Sequence, residues 1–214
     1  MAHPQKKPSD REEGRYASHL RPAAEITAGG ADKRRKREKA DAAELQALLS
    51  RRLTGYSVEC GQNLLYKIEI NVAGKPTHEA ESLPMRGQLA FQTDILITKG
   101  PTPLVAIELK SGSFSTHDVI TYSAKAQRHK QIYPYLRYGF IVTRSAGLGR
   151  RFVVHNEDFD FAMALRDDDL DEAALLAVIQ RQIQSAERLI SLTSSRRLNL
   201  WSYEQVVAVD LKGS

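Results

Sequence analysis

The stretch QTDILITKGPTPLVAIELKSG, residues 92–112, constrains the fold more than any other part of the chain. Two apolar runs, FQTDILIT (91–98) and PLVAIELK (103–110), flank Lys99-Gly100-Pro101, and runs of this length around a Gly-Pro turn predict a β-hairpin. Each run carries a carboxylate, Asp94 in the first and Glu108 in the second, with Lys110 two places further on. Side chains two apart on a strand share a face, so Glu108 and Lys110 point together, and Asp94 lies across from them on the partner strand. Two acids converging in a half-buried place repel and lose hydration unless a cation joins them.

Around this hairpin the periodicities alternate. Ala42, Leu45 and Leu48/Leu49 have helical spacing from about Lys39, with Gly55 as the stop. YSVEC (56–60) and LYKIEINV (65–72) alternate as strands do, and residues 73–88 read as a loop or insertion. A helix is expected from His117 to Tyr133, ended by Pro134, followed by a buried strand YGFIVT (138–143) and a weaker strand FVVHN (152–156). DEAALLAVIQRQIQSAERLISL (171–192) is a long amphipathic helix with Asp167–Asp169 placed at its N-terminus. WSYEQVVAVDLK closes the chain as an edge strand. This order predicts an α/β class, a central mixed sheet flanked by helices. Residues 1–31 lack periodicity and read as a flexible tail, and 32–214 as one domain with a core over about 39–143 and an extension over 144–214.

The net charge of +5 is confined to residues 1–39, which hold eleven Lys/Arg against six Asp/Glu; residues 40–214 hold twenty of each. A basic composition therefore says nothing global about DNA. Locally, no acid occurs between Asp118 and Glu157, a window with Lys125, Arg128, Lys130, Arg137, Arg144, Arg150 and Arg151 interleaved with tyrosines, a pattern suited to a phosphate backbone or to a solvated polar face. No GxxxxGK[ST] loop is present, so no nucleotide cofactor is expected. His78, His117, His129 and His155 lack metal-ligand spacing, which argues against zinc. Cys60 stands alone and reads as a small buried residue, and Trp201 as a packing residue. In HNEDFDF (155–161), Phe159 and Phe161 read as core on one face and the acids as solvated. No apolar run is long enough for a membrane span or a leader, so the expected location is the cytoplasm.

Mg2+, with Mn2+ as the alternative, suits the pair Asp94 and Glu108, being a hard ion that takes one or two carboxylates. Phosphodiester hydrolysis follows, with Lys110 holding or helping to deprotonate the attacking water, its pKa open to shift there. Asp210 and Lys212 repeat the acid-x-Lys pattern without a facing carboxylate and read as incidental.

TDILITKGPTPLVAIELKSG resembles the signature of the PD-(D/E)XK nuclease superfamily, with Asp94 as its aspartate, Glu108 as its D/E, Lys110 as its lysine, and Thr93 in place of its proline. The resemblance implies a restriction-endonuclease-like core (αβββαβ) with a C-terminal helical extension. It implies Asp94 and Glu108 as metal ligands and Lys110 as a catalytic residue. AAELQALLSRRLTGYSV is similar to the resolvase form of the first helix, in which Glu44 completes the catalytic set; Glu38, on the face of Ala42, Leu45 and Leu49, is its competitor. Gln131-Ile-Tyr-Pro-Tyr135 resembles the QxxxY motif of the RecB-like branch, which with the basic window makes Lys125, Gln127, Arg128, Lys130 and Gln131 candidate DNA contacts. The function so implied is a metal-dependent endonuclease of double-stranded DNA, of restriction or defence type, acting as a homodimer. Alternatives are a structure-selective junction or repair nuclease, and a non-catalytic DNA-binding module on the same scaffold.

Overall fold

The computed structural model describes residues 28–76, 84–85, 87–166, 171–195, 197–202, 204 and 206–210. The chain divides into two units, Met1–Lys36 and Arg37–Ser214. Of the first unit only the opening of helix α1 (Ala28–Arg52) is described, with Asp32 paired to Lys36 at 2.8 Å and to Arg35 at 3.4 Å. The expected tail over 1–31 lies outside the described residues, except that 28–31 already belong to α1.

The second unit is α/β. Its main sheet has the order β1-β4-β5-β6-β7, formed by β1 (Ser57–Cys60), β4 (Ile95–Lys99), β5 (Thr102–Ser111), β6 (Arg137–Thr143) and β7 (Phe161–Leu165). The first three strands are antiparallel and the last two run parallel to β5, so the sheet is mixed. The parallel steps are bridged by α2 (Thr116–Ile132) and α3 (Gly149–His155). A small second sheet pairs β2 (Asn63–Leu65) with β3 (Ala90–Gln92). The long helix α4 (Glu172–Thr193) follows β7.

The β4–β5 hairpin turns through Gly100-Pro101, with Lys99 facing Thr102. Gly100 takes a φ of 57°, which a residue with a Cβ adopts reluctantly, and Pro101 fixes the second turn position. β5 is buried on both faces. Val105, Ile107 and Leu109 join Leu45 and Leu49 of α1 and Leu175 and Ile179 of α4 in one core cluster. Ala106 belongs to the opposite cluster, with Val119 and Ala126 of α2 and Tyr138 and Phe140 of β6. Glu108 and Lys110, sharing Ala106's parity, are thereby directed to the α2 side. α2 itself begins with a capping box: the Asp118 N–H donates to Ser115 Oγ at 3.1 Å and the Ser115 N–H to Asp118 Oδ2 at 2.7 Å.

Several expectations need correction. Residues 65–72 do not form a strand; β2 stops at Leu65, and a lone bridge joins Ile70 to Pro76. The run 91–98 is split, its front half in β3 and its rear half in β4, with Thr93 and Asp94 at the break. FVVH belongs to helix α3, with Asn156 as its C-cap, burying Phe152 while Val153 and Val154 face out. Phe159 and Phe161 lie in opposite core clusters, because the chain enters β7 between them. Asp160 is not solvated: it pairs with Arg137 and Lys130 at 2.7 and 2.8 Å and accepts from the Tyr138 N–H. Cys60 is exposed, as is Trp201, and the described residues from 204 onward form no strand. The α4 N-cap is Asp171, while Asp167–Asp169 and Lys212 lie outside the described residues. No helix among the described residues is long and apolar enough to cross a membrane.

Candidate active site

The break between β3 and β4 sets the position of Asp94. Thr93, fully buried, ties the chain to Gln62 through its N–H and its hydroxyl, at 2.8 and 3.0 Å from that carbonyl. The register Ile95–Ile107 then brings Asp94 beside Glu108, and Asp94 Oδ2 accepts the Leu109 N–H at 2.7 Å. Glu108 is 2% exposed. Its Oε1 accepts from Tyr138 Oη and from Lys125 Nζ, both at 2.7 Å, and Lys125 also donates to the Gln92 carbonyl. Lys110 Nζ lies 3.5 Å from Asp118 Oδ1, 3.6 Å from Glu38 Oε1 and 5.1 Å from the centroid of the Tyr122 ring. Lys125 flanks the same ring at 5.8 Å.

The electrostatics follow from burial in company. Burial raises Glu108 to about 7, Asp94 adding to it while Lys125 and Tyr138 hold it back. Burial also lifts Asp94 above the ordinary aspartate value, with the Leu109 N–H, Lys125 and Lys110 opposing. Burial works against the charge on Lys110, but Tyr122, Glu38 and Asp118 outweigh it, and its pKa stands above the ordinary lysine value. The expected shift of Lys110 toward a proton acceptor is therefore reversed: this lysine is a held cation. Tyr138 is pushed well above the ordinary tyrosine value by burial and by Glu108, so its hydroxyl stays a donor.

Glu44 is not part of this cluster. It is exposed and lines a separate cleft of about 420 Å3 with Asp41, Arg51, Arg144 and Arg166. The acid of α1 that reaches Lys110 is Glu38, six residues earlier, because α1 meets the end of β5 with its first part. Of the candidate DNA contacts, Lys125 is turned into the site and Lys130 is tied to Asp160 and to the Asp158 carbonyl. Gln127, Arg128 and Gln131 are exposed on the outer face of α2. α2 ends at Ile132, and Tyr135 lies past it with its ring against Tyr133, so Gln131 and Tyr135 do not share a helix. His129 packs between Phe91 and Tyr138, and burial lowers it to about 3, leaving a neutral core ring.

Asp118, Tyr122 and Tyr138 also belong to the site, beyond the residues expected there. Asp118, Tyr122 and Lys125 recur at i, i+4 and i+7, a helical stripe that was readable in the sequence. Tyr138 carried no such signal, since its hydroxyl reaches Glu108 only through the β5–β6 pairing.

Among the described residues no group of three or more His, Cys, Asp or Glu forms a metal cluster. The pair Asp94 and Glu108 nonetheless offers a hard-oxygen donor set: Asp94 accepts the Leu109 N–H on Oδ2 and Glu108 accepts Lys125 and Tyr138 on Oε1, so Oδ1 and Oε2 are the oxygens that an ion would take. Comparison with protein-family models gives no match, and comparison with curated proteins gives none either.

Proposed function

We propose that this chain is a Mg2+-dependent DNA endonuclease with a restriction-endonuclease-like core of the PD-(D/E)XK kind, acting in restriction or defence. The observation that carries the reading is the convergence of buried Glu108 with Asp94 beside the held cation Lys110. Both acids have raised pKa values, with burial the largest cause in each and Asp94 adding to it at Glu108, which is the condition a divalent cation relieves. The order of elements from α1 to β6, with the acids on adjacent antiparallel strands, supports the same scaffold.

Asp94 and Glu108 would hold the ion. Bound Mg2+ supplies Lewis-acid polarisation of a phosphodiester and a more acidic water. The chain's own part is positioning and charge. Tyr138 and Lys125 fix Glu108, and the Leu109 N–H fixes Asp94, so neither carboxylate swings on its stem. Glu38 and Asp118 brace Lys110, whose protonated ammonium meets the negative charge that grows on the phosphoryl oxygens as the bond breaks. The Tyr122 ring lies near the ammonium groups of both lysines.

The test is incubation of supercoiled plasmid and of branched DNA with the protein in Mg2+, in Mn2+ and in chelator. Discrete fragments that need the metal are expected. Salt-sensitive binding without cleavage of either substrate would contradict the reading and leave a binding module.

A further inference from the structure

The two oxygens of Glu108 are unequal. Oε1 accepts from Lys125 Nζ and from Tyr138 Oη, both at 2.7 Å. Lys125 Nζ also donates to the carbonyl of Gln92, which closes β3 two residues before Asp94. The ammonium thus lies between a carboxylate and a carbonyl, oxygens of the kind that a hard cation takes. Its charge is felt at Asp94 as well.

The helix holds the lysine in this place. Lys125 lies about one turn past Tyr122 and two past Asp118 on α2, next to buried Ala126, and its side chain is 14% exposed. The centroid of the Tyr122 ring stands 5.8 Å from Nζ. Withdrawal of the ammonium would leave Oε1 of a buried carboxylate with Tyr138 alone, a costly loss for a charged group away from water. Lys110 is placed differently: its ammonium lies 3.5 Å from Asp118 and 3.6 Å from Glu38, acids outside the pair.

We propose that the Lys125 ammonium is a built-in cation of the site, holding the oxygens that a second divalent ion would use, so that Asp94 and Glu108 take a single ion. In two-ion hydrolases the ions sit about 3.5–4 Å apart and clamp the reacting oxygens between them. Here one side of that clamp is already a side chain: Oε1 of Glu108 and the Gln92 carbonyl serve the lysine. Charge agrees with this. Asp94 and Glu108, ionised, are opposed by Lys125, so a first divalent ion leaves the group with a surplus of one positive charge, which a single phosphodiester balances. A second ion would add two more positive charges around a carboxylate that is 2% exposed, with no acid of the pair left to meet them. The inference rests on the nuclease reading and deepens it, by setting how many ions the site uses.

Equilibrium dialysis of the full chain against Mn2+ tests it, on wild type, Lys125→Gln, Lys125→Glu and Lys130→Gln, with circular dichroism as the check on folding. Wild type should hold about one ion per chain, and so should Lys130→Gln, whose lysine is tied to Asp160 instead. Lys125→Gln and Lys125→Glu should each hold about two, the glutamate variant more tightly because it exchanges a cation for a ligand. That variant should also melt lower than wild type in chelator and recover in Mn2+. If Lys125 only braces Glu108, both variants hold one ion or fewer, and that result overturns the proposal. A wild type that takes two ions overturns it too, while leaving the nuclease reading in place. A wild type that binds no Mn2+ overturns both, so the two failures are told apart.

Discussion

Glu108 illustrates what a single side chain costs in exchange for a site. Its pKa of about 7 in the fold, against 4.5 as the ordinary value, means the folded state holds a proton that the unfolded chain has released. Stability from this group is complete below about pH 4.5 and is lost as pH rises through 7, at about 1.4 kcal/mol per unit of difference. Glu108→Gln should therefore raise stability at pH 8 by about 1–3 kcal/mol, an amount trimmed by the loss of Lys125's partner, and change little at pH 4.5. Urea unfolding midpoints at the two pH values, in chelator, check this. Glu38 and Glu44 supply a second comparison. Glu38→Gln should slow cleavage by roughly tenfold or more through Lys110, while Glu44→Gln should leave it within about twofold, read from initial rates on plasmid. Asp94, Glu108 and Lys110 were legible in the sequence because a hairpin and side-chain parity bring them together over a short span. The choice between the two glutamates was not, since it depends on where along β5 the helix docks, a tertiary fact absent from helical spacing.

At the level of elements, the parallel step from β6 to β7 depends on a missing side chain. A Cβ on Gly139 would stand 2.1 Å from Phe161 Cζ, a ring atom deep in the sheet's α1–α4 face. Gly139→Ala should lower stability by about 1–3 kcal/mol, and Phe161→Leu in the same chain should return part of it, as seen in thermal midpoints. The hairpin, α2, β6 and α4 were readable from periodicity and stop signals. Two elements were not. FVVHN is a short apolar run whose β-branched residues suit a strand, but its first four residues end the short helix α3 with Phe152 buried and the valines exposed; a run that short carries no periodicity to decide. LYKIEINV has the alternation of a strand, but among the described residues it pairs only at its start, beside Leu89 and Ala90, and at the Ile70–Pro76 bridge, and alternation reports a preference, not a neighbour.

For the molecule as a whole, the acid-free basic window proves less available than its composition implies. Lys125, Lys130, Arg137 and Arg144 are held by Glu108, Asp160, Asp160 and Asp41, and Arg151 donates to the Phe114 carbonyl. Arg128 and Arg150 are exposed and make no ion pair among the described residues. Binding to duplex DNA should accordingly show a shallow dependence on salt, and Arg128→Ala or Arg150→Ala should each reduce the slope by about 1 in a titration of affinity against ionic strength. Charge runs mislead in sequence because acids distant along the chain, such as Asp41 and Asp160, fold back to neutralise them. The central claim is that Asp94, Glu108 and Lys110 form one metal-dependent cleavage site. It is tested most directly by plasmid cleavage in Mg2+ with wild type and Lys110→Ala side by side, DNA binding being measured on both. Cleavage should fall by roughly a hundredfold or more in the variant with binding retained; equal cleavage by both proteins would rule out a shared site.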